Sequence, residues 1–365
     1  MKSSDAKRFI EIVPARGRGA LSNHESRFLA TDREIDLAYL DAIHEDLPDT
    51  AIRTETTCIQ AKSIISRNES PDIGFDRSIN PFLGCEHGCV YCYARPTHAY
   101  LGLSPGLDFE TKLSAKTNAA ALLRKELSSR SYEPKFIALG ANTDPYQPIE
   151  KELQISRAVL EVLAEFNHPV AITTKSSLVV RDLDILGPMA AKGLARVAMS
   201  IGTTDAEIAR KMEPRANTPA RRFQAIEKLA SAGVPTSVIV APIVPALTDA
   251  HLEQVVERAA NAGADSAHYV LLRLPLEVRD LFVEWLETHY PMRAKHVMSL
   301  VNQMRDGKDY DSAFATRMKG TGLFAELIAK RFQLACTRHG LNLVRRPLTT
   351  ALFTAPDKSG QASLF

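Results

Sequence analysis

The first guide to this sequence is what it lacks. No apolar run approaches the roughly 20 residues needed to cross a bilayer. The opening MKSSDAKRFIEIVPARGRG has no uninterrupted apolar stretch of the secretory kind. The expectation is a cytoplasmic protein with no membrane partner. Cysteine is scarce, five in 365 residues, and three of the five fall between positions 85 and 92. That distribution argues against a disulfide framework and for a metal site. A charge of one sign is also missing: the formal net charge is +2, which speaks neither for nor against nucleic acid. The small excess lies toward the ends, with six Lys/Arg against three Asp/Glu in residues 1–30 and five against one in 331–365. Such ends suit phosphate contact or simple solvation of a surface. Apolar residues are 45% and charged residues 24%, a balance that can bury a sizeable core.

The organisation is βα. Residues 1–50 are polar and rich in turn formers, with a helix-like stretch near 34–44. From about residue 56, β-rich apolar runs at 78–83, 136–139, 170–173, 196–200, 236–243 and 267–274 alternate with helix-period segments. In 151–166, Val159, Leu160, Leu163 and Phe166 share one helical face. AAKGL, ASAGV and ANAGA each place a glycine (Gly193, Gly233, Gly263) where a helix ends shortly before a strand. Thr218 before Pro219, and Thr248 before Asp249, have the composition of helix starts. Continuous apolar strands alternating with capped helices predict a parallel sheet, here a partial, TIM-like (β/α)6 barrel. The expected layout is an N-terminal extension (1–55), the barrel (56–275), a mainly helical C-terminal segment (276–348) and a mobile tail (349–365). In 322–339, Phe324, Ile328, Phe332 and Cys336 form a stripe expected to be buried.

The chemistry concentrates in Gly84-Cys85-Glu86-His87-Gly88-Cys89-Val90-Tyr91-Cys92-Tyr93-Ala94-Arg95. Thiolates spaced four and three apart converge from one short loop and bind zinc or iron–sulfur clusters. A structural zinc site wants a fourth ligand, and His87 or His98 could supply it. Cys58 and Cys336 stand apart, in strand-like or apolar settings. Three cysteines without an obvious fourth suggest a cluster with one iron open. The loop follows the first β-rich run, and so belongs at the C-terminal mouth where βα folds build their sites.

CxxxCxxC followed by βα repeats resembles the radical SAM superfamily. RSINPFLGCEHGCVYCYARPTHAY resembles in particular its spore photoproduct lyase-like, "DNA repair photolyase-like" branch, over about residues 55–275. The resemblance implies a [4Fe–4S] cluster on Cys85, Cys89 and Cys92, with S-adenosylmethionine (SAM) chelating the open iron. It also implies reductive cleavage to a 5′-deoxyadenosyl radical and a reductant such as flavodoxin or ferredoxin. By the same resemblance the polar run Asn142-Thr143-Asp144, Lys175 and Ser200 are candidates for SAM contact. The competing readings are an Asx-Pro turn, an exposed strand-end lysine and a satisfied turn serine. Tyr91 and Tyr93 are candidate radical relays. In and after the run Met212-Glu213-Pro214-Arg215, Arg215, Arg221 and Arg222 suit phosphate or surface ion pairs. The lyase's additional donor cysteine is absent from the loop at Ala141 and Asn142, which counts against that lyase activity. The run Gln361-Ala362-Ser363-Leu364-Phe365 resembles peptides that dock on the DNA sliding clamp. The leading expectation is a radical SAM enzyme that repairs or modifies a nucleic-acid base. The alternatives are a radical SAM enzyme on a small molecule or protein side chain, and a non-catalytic, zinc-stabilised nucleic-acid-binding protein.

Overall fold

The computed structural model describes residues 17–24, 26–28, 52–344 and 346–355. The helix-like stretch expected at 34–44 and the motif at 361–365 lie outside the described residues. Among the described residues ten strands are present: β1 Glu55–Ile59, β2 Ile65–Arg67, β3 Arg77–Ile79, β4 Phe82–Leu83, β5 Lys112–Lys116, β6 Ile137–Leu139, β7 Val170–Thr174, β8 Ala195–Ser200, β9 Thr236–Ile243 and β10 Ser266–Leu271.

Six of them, β3-β6-β7-β8-β9-β10, run parallel in sequential order, and β2 closes one edge antiparallel to β3. This is the expected open, six-stranded partial barrel. Helices cover the outer face: β6, an unbroken apolar Ile-Ala-Leu, is buried throughout, whereas β7, β8 and β9 alternate buried residues with more open ones. Ile79, Leu139, Ile172, Val197, Met199, Val238 and Val240 form the inner core at about 1% exposure or less. Gly193, Gly233 and Gly263 have φ of 71°, 75° and 95°, the left-handed caps read from the sequence.

Three boundaries differ from expectation for physical reasons. The run 78–83 divides: β3 joins the barrel, whereas β4 pairs antiparallel with β5 in a separate three-stranded sheet, β1-β5-β4. The helix expected over 151–166 breaks at Gln154 (φ 50°) into Glu150–Leu153 and Ile155–Glu165. The Glu150 carboxylate accepts from Ser156 and Arg157 N–H (3.0 and 3.2 Å) and so starts the second piece. Thr218 caps the helix Pro219–Ser231 as expected. The Thr248 hydroxyl instead turns back to β9, donating to the Pro242 carbonyl (3.1 Å) and accepting from Val244 N–H (2.8 Å).

After β10 come helices Val278–His289, Pro291–Gln303, Thr316–Lys319 and Gly322–Arg338. In the last of these, Ile328, Phe332 and Cys336 are buried and Phe324 packs part-buried against the same core. Residues 349–355, expected within the tail, dock under the barrel: Thr349 N–H donates to Gly193 O (3.1 Å) and Thr354 N–H to Phe166 O (3.1 Å). Phe353 packs against Tyr132, Phe166 and His168. Among the described residues no helix is long and apolar enough to cross a membrane.

Candidate iron–sulfur site

The cysteine loop follows β4 and is held from three sides. Gln147, fully buried in the turn after β6, accepts from Glu86 N–H (2.8 Å) and donates to Gly84 O (3.3 Å). Cys85 N–H donates to Phe109 O (2.9 Å), and Val90 N–H to Met212 O (3.1 Å) beyond β8. Arg95, with no exposed surface, donates to Cys89 O (2.9 Å), Pro105 O (3.0 Å) and Gly106 O (2.8 Å), and pairs with Glu110.

The Glu110 carboxylate also receives the N–H groups of Gly19 (2.9 Å) and Ala20 (2.8 Å), binding an N-terminal segment across the loop. The approach is backbone to backbone. A Cβ on Gly19 would stand 1.7 Å from Gly88 O, and one on Gly88 (φ +67°) would stand 2.6 Å from Glu110 Oε2. A buried ion pair whose remaining acceptor positions are filled by N–H donors holds a shape that hydrophobic packing alone would leave loose.

Cys85 and Cys89 are buried and Cys92 is half-buried. Burial, then Asp144, then the other two thiols push Cys85 well above the ordinary thiol range. Burial likewise pushes Cys89 up to about 12, with Lys175 opposing. The mutual repulsion places the three sulfurs in one neighbourhood, where a metal would be the group that displaces their protons. The two histidines considered as a fourth ligand are engaged elsewhere. His87 Nδ1 lies 3.3 Å from Asp144 Oδ2, and His98 Nε2 is 3.0 Å from Lys112 O. Among the described residues no three His, Cys, Asp or Glu side chains converge as a ready single-ion site. Thiolates bound to separate irons of a cluster stand farther apart than ligands sharing one ion. Three soft donors with no histidine aimed among them fit a cluster with one open iron.

The sequence-predicted residues divide. Asp144 accepts from Thr174 Oγ1 (2.7 Å), Lys175 N–H (2.7 Å) and Tyr146 N–H (2.9 Å). Burial opposes its charge, but His87 and these donors hold its carboxyl well below the usual range. Asp144 is thus a turn-forming anchor, and so is buried Thr143, whose hydroxyl donates to Phe82 O (2.9 Å). Asn142 is exposed and is anchored only through its main chain, to Asn80 Oδ1 (2.8 Å). Ser200 is buried with its hydroxyl on Ala241 O (3.4 Å).

Lys175 differs from all of these. It is half-buried, its ammonium lies 5.9 Å from the Tyr91 ring centroid, and it makes no hydrogen bond or ion pair among the described residues. Burial works against its charge, yet Cys89, Glu213 and Asp144 raise its pKa above the ordinary lysine value. Tyr91 donates to Glu213, which pairs with Arg222. Arg222 is 1% exposed and Glu213 5%, so the expected surface pair is a buried one. Burial first, then Cys89 and Glu213, lift the Tyr91 phenol well above its usual value. Tyr93 is 44% exposed, donates to Ala141 O after β6, and carries the Arg273 guanidinium 5.1 Å above its ring. Its hydroxyl thus reaches the loop where the donor cysteine is missing. Cys58 is exposed on β1 in the second sheet, and Cys336 is buried on the last helix. Sequence reasoning missed Glu110, Arg95 and Gln147 as supports of the loop. Arg95 stood within the quoted cysteine run, but only its partners reveal the role.

Residues 79–259 match the family model described as the radical SAM superfamily. An uncharacterized protein of Mycobacterium tuberculosis is 39% identical over 219 residues, 60% of this chain and 64% of that protein. The matched stretch thus spans less than two thirds of that relative's length. An uncharacterized protein of Methanocaldococcus jannaschii is 25% identical over 66% of this chain and 85% of its own length. Among solved structures, spore photoproduct lyase complexed with dinucleoside spore photoproduct superposes with a TM-score of 0.56 at 17% identity, covering 78% of this chain and 80% of that one. At that identity the likeness is one of fold. An enzyme family over the cysteine loop and the four parallel strands β6 to β9 displaces the non-catalytic zinc reading. Sequence family, fold and the three-cysteine loop agree: residues 79–259 form a radical SAM domain, the mark of a superfamily whose enzymes use a [4Fe–4S] cluster and S-adenosylmethionine.

Proposed function

We propose that this enzyme acts on a nucleic-acid base, with the cluster on Cys85, Cys89 and Cys92 and Lys175 as the counter-charge for the SAM carboxylate. The carrying observation is the unpaired, half-buried Lys175 ammonium beside Cys89. Its three N–H donors are unfilled among the described residues, and an anionic ligand fills them. When bound, the cluster and SAM supply reductive sulfonium cleavage and a 5′-deoxyadenosyl radical.

The chain's own residues orient and insulate. Glu110 and Arg95 hold the loop, while Asp144 fixes the turn carrying Lys175. Asn142, exposed at the same turn, is free to contact SAM or substrate; Thr143 and Ser200 shape the wall with side chains already bonded to backbone. Tyr91, locked to Glu213, supports that wall. Tyr93, exposed and bonded at the loop after β6, is the candidate hydrogen relay toward the substrate. A nucleic-acid substrate is supported by the lyase-like fold and by that relative's dinucleoside ligand. A base inside a duplex would have to be extruded to reach the site.

Anaerobic protein with reconstituted iron and sulfide is expected to form 5′-deoxyadenosine with dithionite. Deuterium from labelled oligonucleotide is expected in SAM-derived products. Cleavage without any deuterium transfer from DNA or RNA would remove nucleic acid as substrate. Docking of Gln361–Phe365 on a sliding clamp is a separate expectation: a Leu364→Ala/Phe365→Ala variant should lose capture by purified clamp, and equal capture would reject it.

A further inference from the structure

A cleft of about 560 Å³ opens beside the cysteine loop and has a charge unlike the rest of this balanced chain. Lys151, Arg181, Arg215, Arg221 and Lys228 line it, with His87 at its inner wall and no aspartate or glutamate in the lining. Arg181 is committed to Glu150 and Asp182, and Arg215 to Glu86 (2.6 Å). Lys151, Arg221 and Lys228 are exposed and have no ion pair among the described residues. Arg221 and Lys228 lie seven apart on the helix Pro219–Ser231, on one face.

The cleft meets the cluster loop directly. His87 sits between Cys85 and Cys89, and its carbonyl accepts from Arg215 N–H (3.3 Å). Yet Tyr91, Tyr93, Lys175 and Ser200 do not line it. A strand presenting a reacting base must reach those residues. A partner that only delivers an electron needs to come near the cysteines and nothing else.

We propose that this basic cleft docks an acidic one-electron carrier protein that reduces the cluster. The inference rests on the radical SAM reading and adds the partner's place. One electron leaves the reduced carrier and enters the cluster; the carrier is oxidised by one electron, the cluster reduced by one, and no bond is made or broken in that step. Exposed, unpaired cations around a concave patch set the association rate and its salt dependence rather than a large contact energy.

The test uses the full-length reconstituted enzyme, a purified flavodoxin and a purified ferredoxin at low ionic strength. Lys151→Glu/Arg221→Glu/Lys228→Glu is expected to weaken carrier binding about tenfold or more, and carrier-driven 5′-deoxyadenosine formation should fall with it. Iron content and dithionite-driven cleavage, which bypasses docking, should match wild type; this also reports that the variant is folded. Unchanged carrier affinity in the variant, or no binding of either carrier to wild type, overturns the proposal. So does a variant that keeps carrier binding but loses affinity for a single-stranded oligonucleotide, which assigns the cleft to nucleic acid. Absence of dithionite-driven cleavage in wild type would instead overturn the radical reading itself.

Discussion

The two ends of the parallel sheet use different materials for the same task of sealing strand termini. At the C-terminal ends, around the cysteine loop, the chain buries charge: Arg95 with Glu110, Arg222 with Glu213 and the Asp144 carboxylate beside His87, with half-buried Lys175 unpaired among the described residues. At the N-terminal ends it buries rings and main chain. His168 is enclosed by Tyr132 and Phe353, Thr349 and Thr354 bond to backbone, and the Asn342 side chain joins Ala267 N–H and O (2.9 and 3.1 Å). A sheet end that only has to be stable does well with aromatic packing and satisfied amides. Buried charge is retained where a shape or a potential has to be held.

The largest expected effect tests the mouth directly. Cys89→Ala should abolish cluster retention, read as iron content and visible absorbance, and reduce SAM cleavage to background; a variant that keeps its iron and activity breaks the comparison. Next is the buried pair. Arg222→Met leaves Glu213 without its main partner and should cost about 3–5 kcal/mol in thermal or denaturant unfolding. Glu213→Met/Arg222→Met should recover part of that loss, because the buried carboxylate is gone, while Tyr91 and the Ser200 and Asn217 carbonyls still lose their partners.

The opposite end should respond to acid. Burial lowers the His168 pKa from 6.5 to about 4. Between those values the unfolded chain binds the extra proton, so the stability contributed by neutral His168 is present above pH ~6.5 and lost as pH falls toward 4, up to about 3 kcal/mol. His168→Gln should flatten this slope, seen in denaturant midpoints across that range, while leaving SAM cleavage at neutral pH unchanged. Lys175→Met gives the smallest energy and the sharpest contrast. SAM affinity should fall by about 2 kcal/mol, roughly thirtyfold, with iron content unchanged. A stability loss without an affinity loss would move Lys175 from ligand counter-charge to structural cation.

The barrel was legible because its signals are local: apolar runs, helix period and glycine caps recur within a few residues of one another. The second sheet was not, because β1, β4 and β5 pair residues such as Cys58 with Ala115 across long sequence separation and carry weak alternation. At the site, the cysteine spacing carried the chemistry, and Lys175 stood out at a strand end. Asp144 and Thr143 looked like ligand contacts because polarity in a βα loop reads the same whether it serves the loop or a cofactor. Glu110 had no signal: its role exists only where Arg95, Gly19 and Ala20 meet it in space. The Glu213–Arg222 pair was visible as two charges, but nothing in the sequence told buried from exposed.

The backbone contact of Gly19 with Gly88 also restricts how this protein can diverge. With 1.7 Å between a would-be Cβ on Gly19 and the Gly88 carbonyl oxygen, Gly19 cannot acquire a side chain while the Gly88 backbone stays where it is, and a Cβ on Gly88 would meet the Glu110 carboxylate that holds Gly19. A segment outside the barrel is therefore tied to the cysteine loop in inheritance as well as in space, and the two can drift only as one.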